Sequence, residues 1–481
     1  MCLQSAQQFE LGFCLGRPVE VEEVQENLTS DAGLMAFGQL DAKLGWIESF
    51  SQQISDQRCG SIHSVQSIVQ QRVFGILAGY EDQNDHDSLR FDPMFKLMAG
   101  RTPDDPHNLA SQPTISRLEN SVAASDLLRL EEWFIDRFVE SFSIDPGEIT
   151  LDIDAFDDPT HGCQQLTFFH GFYGQYQYLV RAITCADNDF VAMPVLLHGS
   201  AHASIGAEED VTRVIAKVRQ RFPDLKVHVR ADSGFATPRF YEALEKLPGV
   251  TYSVGYSMNP RIQKLSDELL QTAIVEFDQT KTPQRKFLFL DYQANSWPNS
   301  RSIVVKCEVN AQGTNRRAIV TNRPGAVHFP EGAYEEYADR GESENRNKEL
   351  KCELNTDRLS DHRYMANLFR VMMHVLAANL LVTMRHITAD PPATPARPGE
   401  IPFEAQTTNQ KRQYHNLRRK RDPLGEGHAC TWRTRLIKVA ARIVVSTRRI
   451  RVLIPTSWPF IKTLQMVSQK LAAFAAPQLS G

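Results

Sequence analysis

An α/β fold is predicted for this 481-residue chain on three observations. From about residue 148 onward, short runs alternate apolar and polar residues, give way to helical spacing, and then return, which marks a sheet faced by helices. Aspartates stand at or just past the ends of two of these runs, in GEITLDIDAF and KVHVRADSGF. Further on, YADRGESENRNKELK puts charges where a core helix would show Leu or Val.

The elements follow in order. Residues 1–147 read as a mainly helical region, with apolar spacing in Leu34, Met35, Phe37, Leu40 and Leu44 and again from Val65 to Leu77. Within it, LASQPTISRLEN offers Ser111 or Thr114 as a cap and Pro113 at an early helical position. It resembles a short DNA-reading helix, with a purely structural helix as the equal alternative. From 148 to 270 the strands begin. GEITLDIDAF sets Leu151 and Ile153 on one face and Asp152 and Asp154 on the other, because strand side chains alternate. LTFFHGFYG, QYLVRAIT and DFVAMPVLL read as further strands. An amphipathic helix through Val211, Val214, Ile215 and Val218 ends near Phe222, before Pro223. KVHVRADSGF is the next strand, Thr237 to Leu247 a helix, and VTYSVGY another strand. Strands in series, then helix, strand, helix, strand is the order of a ribonuclease H-like core.

Residues 271–330 read as pure β, with AIVEFDQ, RKFLFLDYQ, SIVVKCEVN and NRRAIVTNR separated by Pro, Asn and Gly turns. This block separates Asp232 from Glu344 by 112 residues, more than a minimal core needs, and is expected to be an insertion domain. The core resumes over 331–390, with an apolar helix from Met365 to Met384 that covers the sheet. Residues 391–481 are expected to hold a Pro-rich linker, PPATPARPGEIPF, and a basic helical region.

Composition limits the function. With 42% hydrophobic and 23% charged residues the chain is ordinary and globular, and its length calls for more than one core. The net charge of −5 argues against a polyanionic partner until its distribution is considered. Positions 411–451 hold thirteen Lys or Arg against Asp422 and Glu426, a local balance of +11, which is an electrostatic footprint for nucleic acid. The eight cysteines are scattered with no C-x2-C pair, which disfavours a zinc module or disulfide framework and fits a reducing cytoplasm. No basic-then-apolar leader is visible at the start. The apolar run from Val371 to Met384 is too short to span a bilayer, so no membrane partner is expected.

At about 100° per residue, with Tyr337 as zero, Arg340, Glu344 and Lys351 fall near 300°, 340° and 320° of one helix. A phenol, two cations and a carboxylate therefore share a face suited to phosphate and metal. Asp154, Asp232 and Glu344 together would carry about −3 charge, which calls for cations. Two divalent ions about 3.5–4 Å apart would neutralise them and serve an in-line phosphoryl displacement. Oxygen-only ligation selects Mg2+ or Mn2+ over zinc.

With these residues in view, the sequence resembles bacterial insertion-sequence transposases of the DDE type with a YREK signature. LDIDAFDDPTHG, RADSGF, YADRGESENRNKELK and the amino-terminal GYEDQNDHDSLRFDP and LASQPTISRLEN are similar to the insertion-sequence thirteen-eighty group. The resemblance covers nearly the whole chain. It implies an enzyme that binds terminal inverted repeats, cuts there and joins 3′-hydroxyls to target DNA, acting as a homodimer in a synaptic complex in the bacterial cytoplasm, at the nucleoid. It implies Asp154, Asp232 and Glu344 as metal ligands and Tyr337, Arg340 and Lys351 as phosphate contacts. The usual D-x-T is Asp154, Ala155, Phe156 here, so Asp152 stays in reserve as first ligand. In related transposases an insertion-domain tryptophan stacks a flipped base, a role that would fall here to Trp297, the insertion's single tryptophan, although a tryptophan in a turn more often packs. Two other readings are a nuclease of the same fold without strand transfer and a non-catalytic DNA-binding relative.

Overall fold

The computed structural model describes residues 9–11, 19–389, 424 and 428–475. The Pro-rich stretch and the basic residues 411–421 lie outside the described residues.

The amino-terminal part carries three short strands, β1 (Phe9–Leu11), β2 (Val19–Val21) and β3 (Leu28–Thr29). Seven helices follow: α1 (Leu34–Leu44), α2 (Trp46–Ser51), α3 (Val65–Ala78), α4 (His86–Leu89), α5 (Pro93–Met98), α6 (Gln112–Ser121) and α7 (Ala124–Glu140). The sheet then forms from β4 (Glu148–Pro159), β5 (Phe168–His170), β6 (Gln175–Cys185), β7 (Val191–Leu197), β8 (Lys226–Ala231) and β9 (Val250–Tyr256), with α8 (Ala207–Arg221) and α9 (Pro238–Glu245) between the later strands. Next come α10 (Pro260–Leu265), α11 (Asp267–Thr280), β10 (Gln284–Tyr292), β11 (Arg301–Asn310), β12 (Gly313–Thr321), α12 (Pro330–Ala338), α13 (Gly341–Lys348) and α14 (Tyr364–Thr388). The carboxyl-terminal part holds α15 (Ala429–Trp432), β13 (Ala441–Ser446), β14 (Arg449–Leu453) and α16 (Ile461–Ala473).

The core strands lie in the order β7-β6-β4-β8-β9, with β6 antiparallel to β4 and β8 and β9 parallel to it. This is the order and direction expected of a ribonuclease H-like sheet. The block after β9 departs from expectation in two ways. Strands β12, β11 and β10 do not fold apart; β12 pairs antiparallel with β9 and extends the same sheet. AIVEFDQ, read as a strand, lies within α11. Leu270 and Ala273 are buried there and Leu269, Ile274 and Phe277 pack beside them, a helical spacing that begins before the β-branched residues.

Two other expectations are corrected. LTFFHGFYG is a strand only over Phe168–His170, after which residues 171–174 turn and lead into β6. The basic carboxyl-terminal stretch is not helical throughout: β13 and β14 form an antiparallel hairpin that also pairs with β3. Its β-branched run Ile443, Val444, Val445 suits a pleated surface.

Helix α14 runs through the centre of the molecule. It is long and apolar enough to cross a membrane, but 94% of its most apolar window is buried in the protein. His374 on this helix bonds through Nδ1 to the Leu354 carbonyl oxygen at 2.8 Å. Burial, with the charges of Arg72 and Arg370, holds its imidazole down to about 3. The folded state therefore refuses a proton that the unfolded chain takes up below about 6.5. Stability is complete above that pH and is lost as pH falls toward 3. His374→Gln should flatten the pH dependence of unfolding between pH 6.5 and 4.5 by about 2–3 kcal/mol, read from urea transitions.

Candidate active site

The β4–β8 ladder ends at Ile153 opposite Ala231, so one step further sets Asp154 beside Asp232 at the carboxyl ends of two parallel strands. Chain direction and pairing bring these two acids together, although 78 residues of sequence part them. Asp232 accepts from the Gly234 N–H at 2.8 Å, which fixes the turn leaving β8. Asp154 is pushed up to about 6, first by burial and then by the charges of Asp232 and Glu344, against the pull of Arg340.

The third carboxylate arrives on α13, which packs against β4. Tyr337, Arg340, Glu344 and Lys351 do not share one uninterrupted α-helix. Tyr337 sits near the end of α12, Arg340 at the junction, Glu344 on α13 and Lys351 in a π turn over Glu349–Glu353. The backbone stays right-handed helical through the junction residues, which keeps the first three together. The bridge between them is Arg340, which donates to Asp154 Oδ2 and to Glu344 Oε1, both at 3.1 Å. Glu344 therefore pairs with Arg340, where a solvated helix would pair it with Lys348. Its carboxylate remains two-thirds exposed, open to a ligand.

Tyr337 lies against the turn that follows Asp232. A Cβ on Gly255 of β9 would meet the Tyr337 hydroxyl at 2.6 Å and the Ser233 backbone nitrogen at 3.0 Å. Glycine at 255 is what allows this approach. Lys351 donates from Nζ to Asp157 Oδ1 at 2.6 Å, and Gln175 donates to the other oxygen of Asp157 at 2.9 Å. Nothing local in the sequence marks Asp157 and Gln175; the fold brings them together at Lys351.

Asp152 is decided by a neighbour. It is fully buried, and Arg230 of β8 donates to both of its oxygens, at 2.6 and 2.8 Å. With its lone pairs committed, it is a structural anion, and Asp154 is the carboxylate facing Asp232 and Arg340. Trp297 is also corrected. It is only 4% exposed, surrounded by Tyr241, Tyr256 and Tyr292 at ring distances of 5.6, 5.3 and 5.8 Å, with Arg301 over its face. Nothing can stack on it there.

Another acidic group, Glu349, Glu353 and His428, has its ligand atoms within 4.8 Å of one another. Its carboxylates are already engaged: Glu349 accepts from the Ala429 N–H at 2.7 Å and from Arg385, and Glu353 from the Cys430 N–H at 2.9 Å. They cap α15 from outside.

The triad fits divalent metal ions. All its donors are oxygens, and the side chain already resting across Asp154 and Glu344 is a cation, as the crowded charge demands.

A search of curated proteins gives no match. Among solved structures, the chain is similar to the piggyBac transposase in a cryo-EM synaptic complex with hairpin DNA, at 12% identity and a TM-score of 0.43, over 95% of this chain and 89% of that one. The model of the transposase DDE domain group 1 family matches residues 12–401, most of the sequence. The chain belongs to that family of DDE transposases.

Proposed function

We propose that this DDE transposase serves a bacterial insertion sequence of the thirteen-eighty group: it binds the terminal inverted repeats, cuts the ends and joins the freed 3′-hydroxyls to target DNA. The observation that carries this reading is that Asp154 and Glu344 meet on the Arg340 guanidinium, with Asp232 beside Asp154 at the end of the neighbouring parallel strand. The three carboxylates would hold two Mg2+ or Mn2+ ions, which supply charge neutralisation and activation of the attacking oxygen when bound.

The chain's own residues do the rest. Asp154 and Asp232 fix one side of the site from rigid strands, while Glu344 closes it from a helix. In cutting, a water oxygen attacks the phosphorus and the 3′-oxygen leaves. In joining, that 3′-hydroxyl attacks a target phosphodiester, one P–O bond forming as another breaks. Arg340 can grip a phosphate with two parallel hydrogen bonds, whereas Lys351 acts as a point charge. Both are held by carboxylates, Arg340 by Asp154 and Glu344 and Lys351 by Asp157. Exchange of these partners for phosphate would align the strand. Exposed Arg449 and Arg451 on the β13–β14 hairpin, with the basic residues before it, would supply sequence-independent affinity. Two copies in a synaptic complex would bring paired ends together, in the cytoplasm at the nucleoid.

Arg340→Ala and Lys351→Ala should each lower end cleavage by about 100-fold, since misplacement by about 1 Å costs that much. Overall affinity for the repeat, measured by gel shift, should change far less. Near-normal cleavage in both variants would leave these two cations a merely solvated role.

A further inference from the structure

The hairpin between β5 and β6 exposes an aromatic cluster that the packing of the fold does not use. Its sequence, FFHGFYGQY, holds five aromatic rings in nine residues, excluding His170. Phe172 is 86% exposed at the tip, Tyr176 58% and Phe169 54%. A single exposed aromatic needs no explanation, but a contiguous set on one projecting hairpin marks a binding surface. Phe172 and Tyr173 meet edge to face at 5.0 Å, and Tyr173 leans on His170 at 5.1 Å, so the tip is a preformed aromatic pair. The Gly174 N–H closes the turn onto the His170 carbonyl at 2.8 Å, with Gly174 in the left-handed region at φ 68°.

The hairpin is tied to the catalytic centre. Gln175, the first residue of β6 after the tip, bonds Asp157, which holds Lys351. β6 pairs along β4 from Pro159 back past Asp154, opposite Ala182. The Tyr173 hydroxyl is pushed up by burial and by the charges of Asp157, Asp232 and Asp154, so the tip lies within electrostatic reach of the acids.

Beside a site that cuts DNA, exposed rings meet one natural class of ligand: bases drawn out of the stack, since every base has a π-face and none needs to be read by hydrogen bonds. A protein partner would favour an apolar patch away from the acids; this one borders them.

We propose that Phe172 and Tyr173, at the tip of the β5–β6 hairpin, form a stacking platform for unpaired DNA bases next to the scissile phosphate. This rests on the transposase reading above. Both residues are positioning residues, acting on the strand that the carboxylates cut.

The test uses the full chain and a duplex carrying the inverted repeat that flanks its gene, with 2-aminopurine at the nucleotides bordering the cut. In the wild-type complex with Ca2+, which permits binding without cutting, fluorescence should change at one of these positions as the base leaves the helix and stacks on a ring. Phe172→Ala with Tyr173→Ala should abolish that signal and lower Mg2+-dependent cleavage by about 10–100-fold, the worth of one stacked base. Affinity for the repeat should hold, and Phe172→Trp should restore the signal. Placing an abasic nucleotide at the responding position should narrow the gap between wild type and the double variant. Unchanged signal and cleavage in the double variant would overturn the proposal, as would a change in its oligomeric state by light scattering, which would make the hairpin a protein interface. Absence of both binding and cleavage in the wild type would instead overturn the transposase reading and this proposal with it.

Discussion

Asp154→Ala, Asp232→Ala and Glu344→Ala should each abolish cleavage of the terminal repeat while leaving its binding largely intact. The carboxylates act on metal, whereas affinity comes from phosphate contacts spread over the protein. A loss of at least about 1,000-fold is expected from removing one ligand of a cluster that acts as a unit. Calorimetric titration with Mn2+ should show weakened metal binding in each variant without DNA present. Asp152→Ala should behave differently. It removes the carboxylate that takes two of the hydrogen bonds of Arg230, 4% exposed, and leaves that guanidinium its bond to the Glu336 carbonyl, so its effect should appear as lowered stability. A folded Asp152→Ala that binds no metal beside a metal-binding Asp154→Ala would reverse the assignment of the first ligand.

The second large effect is on stability. Glu119 on α6 is 1% exposed and lies between two buried guanidiniums: Arg72 Nε donates to it at 3.0 Å and Arg370 Nε at 2.5 Å. The two arginines come from α3 and α14, so this carboxylate ties three helices together at the core. The arginines hold its carboxyl below its ordinary value despite burial. Removing the anion leaves two buried like charges facing each other. Glu119→Ala should cost about 3–5 kcal/mol by chemical denaturation, as broken buried pairs do. The adjacent exposed Arg117→Ala should cost less than about 0.5 kcal/mol. Equal small effects would mean that the network contributes little. LASQPTISRLEN thus has a structural use: Ile115, Leu118 and Glu119 are buried and anchor the helix.

What could be read in the sequence was what depends on local period. Alternation in GEITLDIDAF and the aspartate ending KVHVRA placed two carboxylates at strand ends, and the fold's parallel register brought them side by side. Alternation could not separate Asp152 from Asp154, because both point to the same face; Arg230, on the neighbouring strand, separates them. For Trp297 the packing alternative is the one the structure shows, for a similar reason. The local sequence NSWPN leaves stacking and packing equally open, because the tyrosines that enclose the ring come from positions 241, 256 and 292. Non-local packing leaves no periodic trace. The local pattern hides α11 because β-branched and aromatic residues lie inside a helix whose apolar stripe starts earlier, at Leu269 and Leu270. The helix face from Tyr337 to Lys351 was legible in composition, while the junction at Arg340 and the π turn at Lys351 arise from docking on β4, where Asp154 and Asp157 take the two cations.

The most direct test of DDE strand transfer combines purified protein, Mg2+, a duplex bearing the flanking inverted repeat and a supercoiled target plasmid, with sequencing of the products. Joined molecules linking the 3′ end of the repeat to target DNA, absent with Asp154→Ala and in the presence of a chelator, are the expected result. Cut ends without any joined product would contradict it and make the protein a nuclease of the same fold.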